Sequence, residues 1–140
     1  MREKAGNVKV LVDSNILLQS VKYGIDIKEA IEEALTATCE ICVPQAVVKE
    51  LENKAKHGRF LEKRLAERAL ELINQRKFTI VQHENLKGIR VDDIVLTLAS
   101  QGRYILITND RELRRKARKL HIPVGLLNIE EKRVKIDYLP

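Results

Sequence analysis

The sequence predicts a three-layer α/β domain with a mostly parallel central sheet of about five strands. Three observations predict it. The 140 residues are the length of one ordinary domain. Short apolar, β-branched runs alternate with segments that repeat apolar residues at the 3.6-residue period of helices. The runs are continuous rather than alternating, which calls for cover on both faces of a sheet, and parallel neighbours need crossovers of the kind the helical segments supply.

In order, the strand runs are Val8–Val12, 41–43, 78–81, Tyr104–Ile107 and 122–127. Between them, Ile27, Ile31, Ala34 and Leu35 share one helical face; Val47, Val48, Leu51 and Ala55 share a second. Leu61, Leu65, Ala69, Leu72 and Ile73 make a third face, and Leu113, Ala117 and Leu120 a fourth. Pro44 suits the first turn of a helix, and Gly58 and Gly102 stand where helices should stop. No linker or repeat divides residues 1–140, so one domain is expected, with its core over 8–127. The tail 132–140, carrying Val134, Ile136, Tyr138 and Leu139, could add an edge strand or meet a partner.

Composition limits the function. With 44% hydrophobic and 33% charged residues the chain is too apolar for disorder, and no apolar run reaches the ~18 to 20 residues of a membrane span. The start MREKAGNVKV lacks the apolar core of a secretory signal, so a cytoplasmic protein is expected. Lys and Arg number 26 against 20 Asp and Glu, a net charge of +6, which suits a polyanionic partner. Residues 1–70 carry a net +1 and 71–140 a net +5, and the stretch 111–119 alone reaches +5. Aromatic residues are only 4%, so contact with phosphates is the expected mode rather than base stacking.

Ligands of open parallel sheets bind beyond the carboxyl ends of the strands. The first strand exits into Asp13-Ser14-Asn15 and the strand Tyr104–Ile107 into Thr108-Asn109-Asp110. Glu50 follows the strand ending at Val43, and Asp92-Asp93 opens a helix that is apolar nearly all round. Several carboxylates at one partly buried rim repel unless some are protonated or a cation sits among them. Mg²⁺ or Mn²⁺ fits an all-oxygen set, and such a site activates water for phosphodiester hydrolysis. Each acid also has an ordinary use. Asp13 could make an Asx turn, Asp92 could cap its helix, Glu50 could be a solvated helix residue, and Asn109 with Glu112 reads as a capping box.

Val10-Leu11-Val12-Asp13-Ser14-Asn15-Ile16-Leu17-Leu18 resembles the opening of PIN-domain nucleases, in which a hydrophobic strand ends in Asp-x-Asn. Val47-Val48-Lys49-Glu50-Leu51, Val91-Asp92-Asp93-Ile94-Val95 and Leu106-Ile107-Thr108-Asn109-Asp110-Arg111-Glu112-Leu113 resemble the second, third and fourth acidic elements. The resemblance implies a metal-dependent endoribonuclease in which Asp13, Glu50, Asp93 and Asp110 are catalytic and bind metal. Asp92 joins them as a ligand, the choice of main third ligand between it and Asp93 staying open. Asn15 and Thr108 would orient carboxylates by hydrogen bonding. The family contains VapC-type toxins, which pair with antitoxins and commonly dimerise, and a ribosomal-RNA-processing branch to which Asn109-Asp110-Arg111-Glu112-Leu113-Arg114-Arg115 is closer. A non-catalytic RNA-binding module of the same fold is the alternative.

On a helix from Asp110, Arg111, Arg115 and Arg118 form a row beside the acids, with Arg114 next to it, and these four are the candidate RNA contacts. Cys39 and Cys42 have zinc-like spacing, but His57, His83 and His121 stand alone, so buried structural cysteines are expected. No Gly-rich phosphate loop or dinucleotide turn is present, so no nucleotide cofactor is expected. A phosphoacceptor receiver domain would want an acidic pair after the first strand and a Lys after a late one, and neither is here.

Overall fold

The computed structural model describes residues 7–84 and 87–140. Its elements run β1 (Val8–Val12), α1 (Ser14–Lys22), α2 (Ile27–Leu35), β2 (Cys39–Pro44), α3 (Gln45–His57), α4 (Phe60–Gln75), β3 (Thr79–Val81), α5 (Val91–Gln101), β4 (Tyr104–Ile107), α6 (Arg111–Lys119), β5 (Val124–Asn128) and β6 (Arg133–Tyr138). The sheet has the order β3-β2-β1-β4-β5-β6. The first five strands are parallel and β6 lies antiparallel to β5. The tail therefore supplies a sixth strand at the edge, beyond the five that the apolar runs predict.

Val10, Leu11 and Val12 of β1 and Leu106 and Ile107 of β4 are fully buried, as continuous apolar strands covered on both faces must be. Each such side chain contributes about 1.5–3 kcal/mol by leaving water. α1, α3 and α4 pack on one another, and α5 packs on α6. The chain leaves β1 toward β2 and β3, then returns past β1 to β4, so the direction of winding reverses between β1 and β4. Gly125 of β5 lets this centre close. A Cβ there would come 2.9 Å from Ile107 Cδ1 and 3.0 Å from the Lys135 carbonyl, beside the register shift at Val124/Gly125.

Four local expectations are corrected. Pro44 ends β2 and precedes the first turn of α3 instead of standing in it. In α4 the buried line is Ala66, Ala69 and Ile73, while Leu61 is exposed, because small alanines let the helix approach its neighbours closely. Leu120 caps the end of α6 and is exposed rather than extending the Leu113 and Ala117 face. The segment after Asp13 forms α1, where the apolar periods predict no helix before Ile27. Cys39 and Cys42 are both buried in β2 as free thiols, and three residues apart on a strand they face opposite sides of the sheet. Burial pushes both thiols up to about 11, which keeps them protonated.

Candidate active site at the sheet switch point

The rim is assembled where β1 meets α1 and β4 meets α6, with further acids carried by α3 and α5. Asp13 stands one residue past β1 and caps α1, its Oδ1 accepting from the Ile16 amide at 3.0 Å. Its Oδ2 accepts from the hydroxyl of Thr108, which is fully buried one residue past β4. That same hydroxyl oxygen accepts the Asp110 amide at 3.1 Å. Asp110 caps α6 by taking the Leu113 amide at 3.0 Å, and its side chain is exposed. One threonine thus joins the two connections across the reversal of winding.

The carboxylates act on one another. Burial, opposed by the Thr108 and Ile16 hydrogen bonds and reinforced by the charges of Asp92 and Asp110, pushes Asp13 up to about 6. Burial and then the charge of Asp110 raise Asp92 as well; Arg90 opposes this, and Glu50 and Asp93 add to it. Glu50 comes from α3, half-buried next to the fully buried Leu51. Asp92 precedes Val95, Leu96 and Ala99 by three, four and seven residues, so it shares the buried face of α5. Asp93 is exposed and in phase with the exposed Thr97 and Ser100. Asp13, Asp92 and Asp110 are therefore within electrostatic reach of one another, Glu50 and Asp93 act on Asp92, and Asp93 is turned outward.

The donor set is all oxygen, which suits a hard divalent cation. Among the described residues no three Asp, Glu, His or Cys side chains close on a point tightly enough to cage an ion. The described residues therefore hold no closed, zinc-like cage.

Of the residues expected to orient the acids, Thr108 does so, while Asn15 is exposed and makes no hydrogen bond among the described residues. Asn109 does not form a capping box with Glu112. Its side chain instead takes the Leu127 amide at 2.8 Å, donates to the Leu127 carbonyl at 3.0 Å and to Gln19 Oε1 at 3.1 Å, tying β5 and α1 to the rim. Glu112 pairs with Arg115. Arg118 pairs with Asp137, and the half-buried Arg114 donates to the Thr108 carbonyl at 3.1 Å with its Nε 3.7 Å from Asp137. Arg111 is exposed without an ion-pair partner among the described residues. His83, which the sequence left unassigned, accepts the Ala46 amide on Nε2 at 2.9 Å and so caps the start of α3, the helix that carries Glu50.

Fold and rim together define an α/β domain that offers carboxylate oxygens at the switch point of a mostly parallel sheet. The family model described as PIN like domain matches residues 10–129, and the chain belongs to that family. Ribonuclease VapC9 of Archaeoglobus fulgidus is 34% identical over 129 residues, covering 92% of this chain and 89% of the relative. The human rRNA-processing protein FCF1 homolog is 29% identical over 133 residues and 94% of this chain. The chain spans 62% of the length of that relative. The solved PIN domain endonuclease Utp24 superposes with a TM-score of 0.77 at 25% identity, over 94% of this chain and 92% of its own. No helix among the described residues is long and apolar enough to cross a membrane.

Proposed function

We propose that this chain is a divalent-metal-dependent endoribonuclease whose metal would be held through one or two of the carboxylates of Asp13, Asp92 and Asp110, with Glu50 adding its charge beside them. The observation that supports this most is the mutual charge effect among Asp13, Asp92 and Asp110 at the reversal point of the sheet, to which Glu50 adds through Asp92. Asp93, which the family pattern favours as third acid, takes an outer place on this reading because Asp92 occupies the inward face of α5. A bound Mg²⁺ or Mn²⁺ supplies a water of lowered pKa and neutralises charge on the scissile phosphate. Asp13 offers one free lone pair on each oxygen, since each already accepts one hydrogen bond, and Thr108 keeps it from rotating. The exposed side of Asp110 is open to substrate, and Arg111 beside it can take a phosphate oxygen.

RNA as the substrate is supported by the net charge of +6 and by the ribonuclease relative. Incubation with labelled single-stranded RNA should give internal cleavage with Mg²⁺ or Mn²⁺ and none with EDTA or after Asp13→Asn. RNA binding that needs no metal, with cleavage absent under every condition, would instead support the non-catalytic RNA-binding alternative, which the loose spacing of the acids and the rRNA-processing relative favour. A protein antitoxin and a homodimer are proposed as further partners on the family resemblance of the sequence alone.

A further inference from the structure

The turn between α3 and α4 carries features that the rim does not use. Residues 54–64 hold Lys54, Lys56, Arg59, Lys63 and Arg64 against one acid, Glu62. Lys56, Arg59 and Lys63 are exposed and make no ion pair among the described residues. Phe60 is 76% exposed, more than any other large apolar side chain described, and Leu61 next to it is 58% exposed. The Arg64 guanidinium lies over the Phe60 ring, 5.6 Å from its centre. Residues 59–64 are exposed all round and burial begins only at Ala66, so the start of α4 stands clear of the body. Gly58 makes the turn tight, because a Cβ there would come 2.5 Å from the Lys54 carbonyl.

The position is set by α3. Lys54 follows Glu50 by four residues and His57 by seven, so all three share a face that leads from the acids to the turn. Seven residues of helix span about 10 Å, close to the length of about three stacked nucleotides at ~3.4 Å each. Two exposed apolar side chains are far short of the ~800 Å² per partner that a stable protein interface buries, whereas one aromatic face with a collar of free cations is what a single strand needs.

We propose that the α3–α4 turn is a second RNA contact, in which a base of the strand leaving the acidic rim stacks on Phe60 while Lys56, Arg59 and Lys63 hold its phosphates. This rests on the reading of the chain as an RNA-binding nuclease. One face of the Phe60 ring is covered by Arg64, which leaves the other for the base. Contact of this kind carries no sequence preference, because every base has a π-face.

The test uses the full chain in EDTA, a short fluorescein-labelled oligoadenylate, and a sugar–phosphate oligomer of the same length without bases. Phe60→Ala and Phe60→Leu should both weaken oligoadenylate binding by roughly tenfold and leave binding of the baseless oligomer unchanged. Lys56→Ala combined with Lys63→Ala should reduce the slope of log K against log salt by about 1.4. All the positions are exposed, and unchanged melting curves will confirm that the variants fold. Wild-type affinity in the three variants would overturn the proposal alone. Failure of the unaltered chain to bind either oligomer would overturn it together with the parent reading. A lower sedimenting mass for Phe60→Ala, with unchanged RNA affinity, would assign the turn to a protein contact instead.

Discussion

The Thr108 hydroxyl donates to Asp13 and accepts the Asp110 amide, so one fully buried side chain couples the ends of β1 and β4. Thr108→Val keeps the shape and removes both bonds, leaving a buried carboxylate short of a donor and an amide short of an acceptor. Urea unfolding should show a loss of about 1–3 kcal/mol, and Thr108→Ser, which keeps the hydroxyl, should recover most of it. Equal stability of the Val variant and the parent would show that the bridge contributes nothing.

Asp13 makes the metal-free protein sensitive to pH. Its folded value of about 6 stands above the ordinary 3.8, so the fold favours the protonated acid. The stability this provides is fully present below about pH 4 and is lost as pH rises through 6, a change of about 3 kcal/mol from this group. Denaturant unfolding in EDTA should therefore show declining stability across that window. Asp13→Asn should flatten the decline and leave the metal-free protein more stable than its parent at pH 7.5. Mg²⁺ or Mn²⁺ should raise the parent's Tm at pH 7.5 more than at pH 5. A pH slope that survives Asp13→Asn would rule this account out.

Asp92 and Asp93 should separate cleanly in a cleavage assay. Loss of a group that only orients a metal ligand typically costs 10–100-fold, so loss of a direct carboxylate in Asp92→Asn should cost at least about a hundredfold. Asp93→Asn, on the exposed face, should stay within about threefold of the parent by the same comparison. The reverse order would return the third position to Asp93.

The placement of Asp92 on the buried face of α5 was legible in the sequence, since it lies three, four and seven residues before Val95, Leu96 and Ala99. β1 and β4 were legible to the residue because each is a short, mostly apolar run with a polar residue on either side, broken only by the exposed Lys9 in β1. α1 was not, because it starts at Ser14, only two residues after β1 ends, and its nine residues are too short to show a clear helical period. Asn109 was assigned a local partner when its partners lie 18 and 90 residues away, and the His83 cap on α3 is equally non-local. Local spacing shows which acids leave strand ends. It does not show which polar side chains cross between elements to hold them.

The arginines of α6 divide by what already occupies them. Arg115 and Arg118 are paired with Glu112 and Asp137, and Arg114 braces the Thr108 carbonyl, while Arg111 has no such partner among the described residues. Arg111→Ala should therefore lower the salt slope of single-stranded RNA binding by about 0.7 and change stability by less than about 0.5 kcal/mol. Arg114→Ala should act in the opposite sense. It strips a charged donor from the buried Thr108 carbonyl at the rim and from Asp137, costing about 1–3 kcal/mol in urea unfolding. Its effect on cleavage should follow from the loosened Thr108 connection rather than from lost phosphate contact, so the salt slope should stay at the parent's value. A salt slope that falls equally in both variants would make Arg114 a phosphate contact and remove its bracing role.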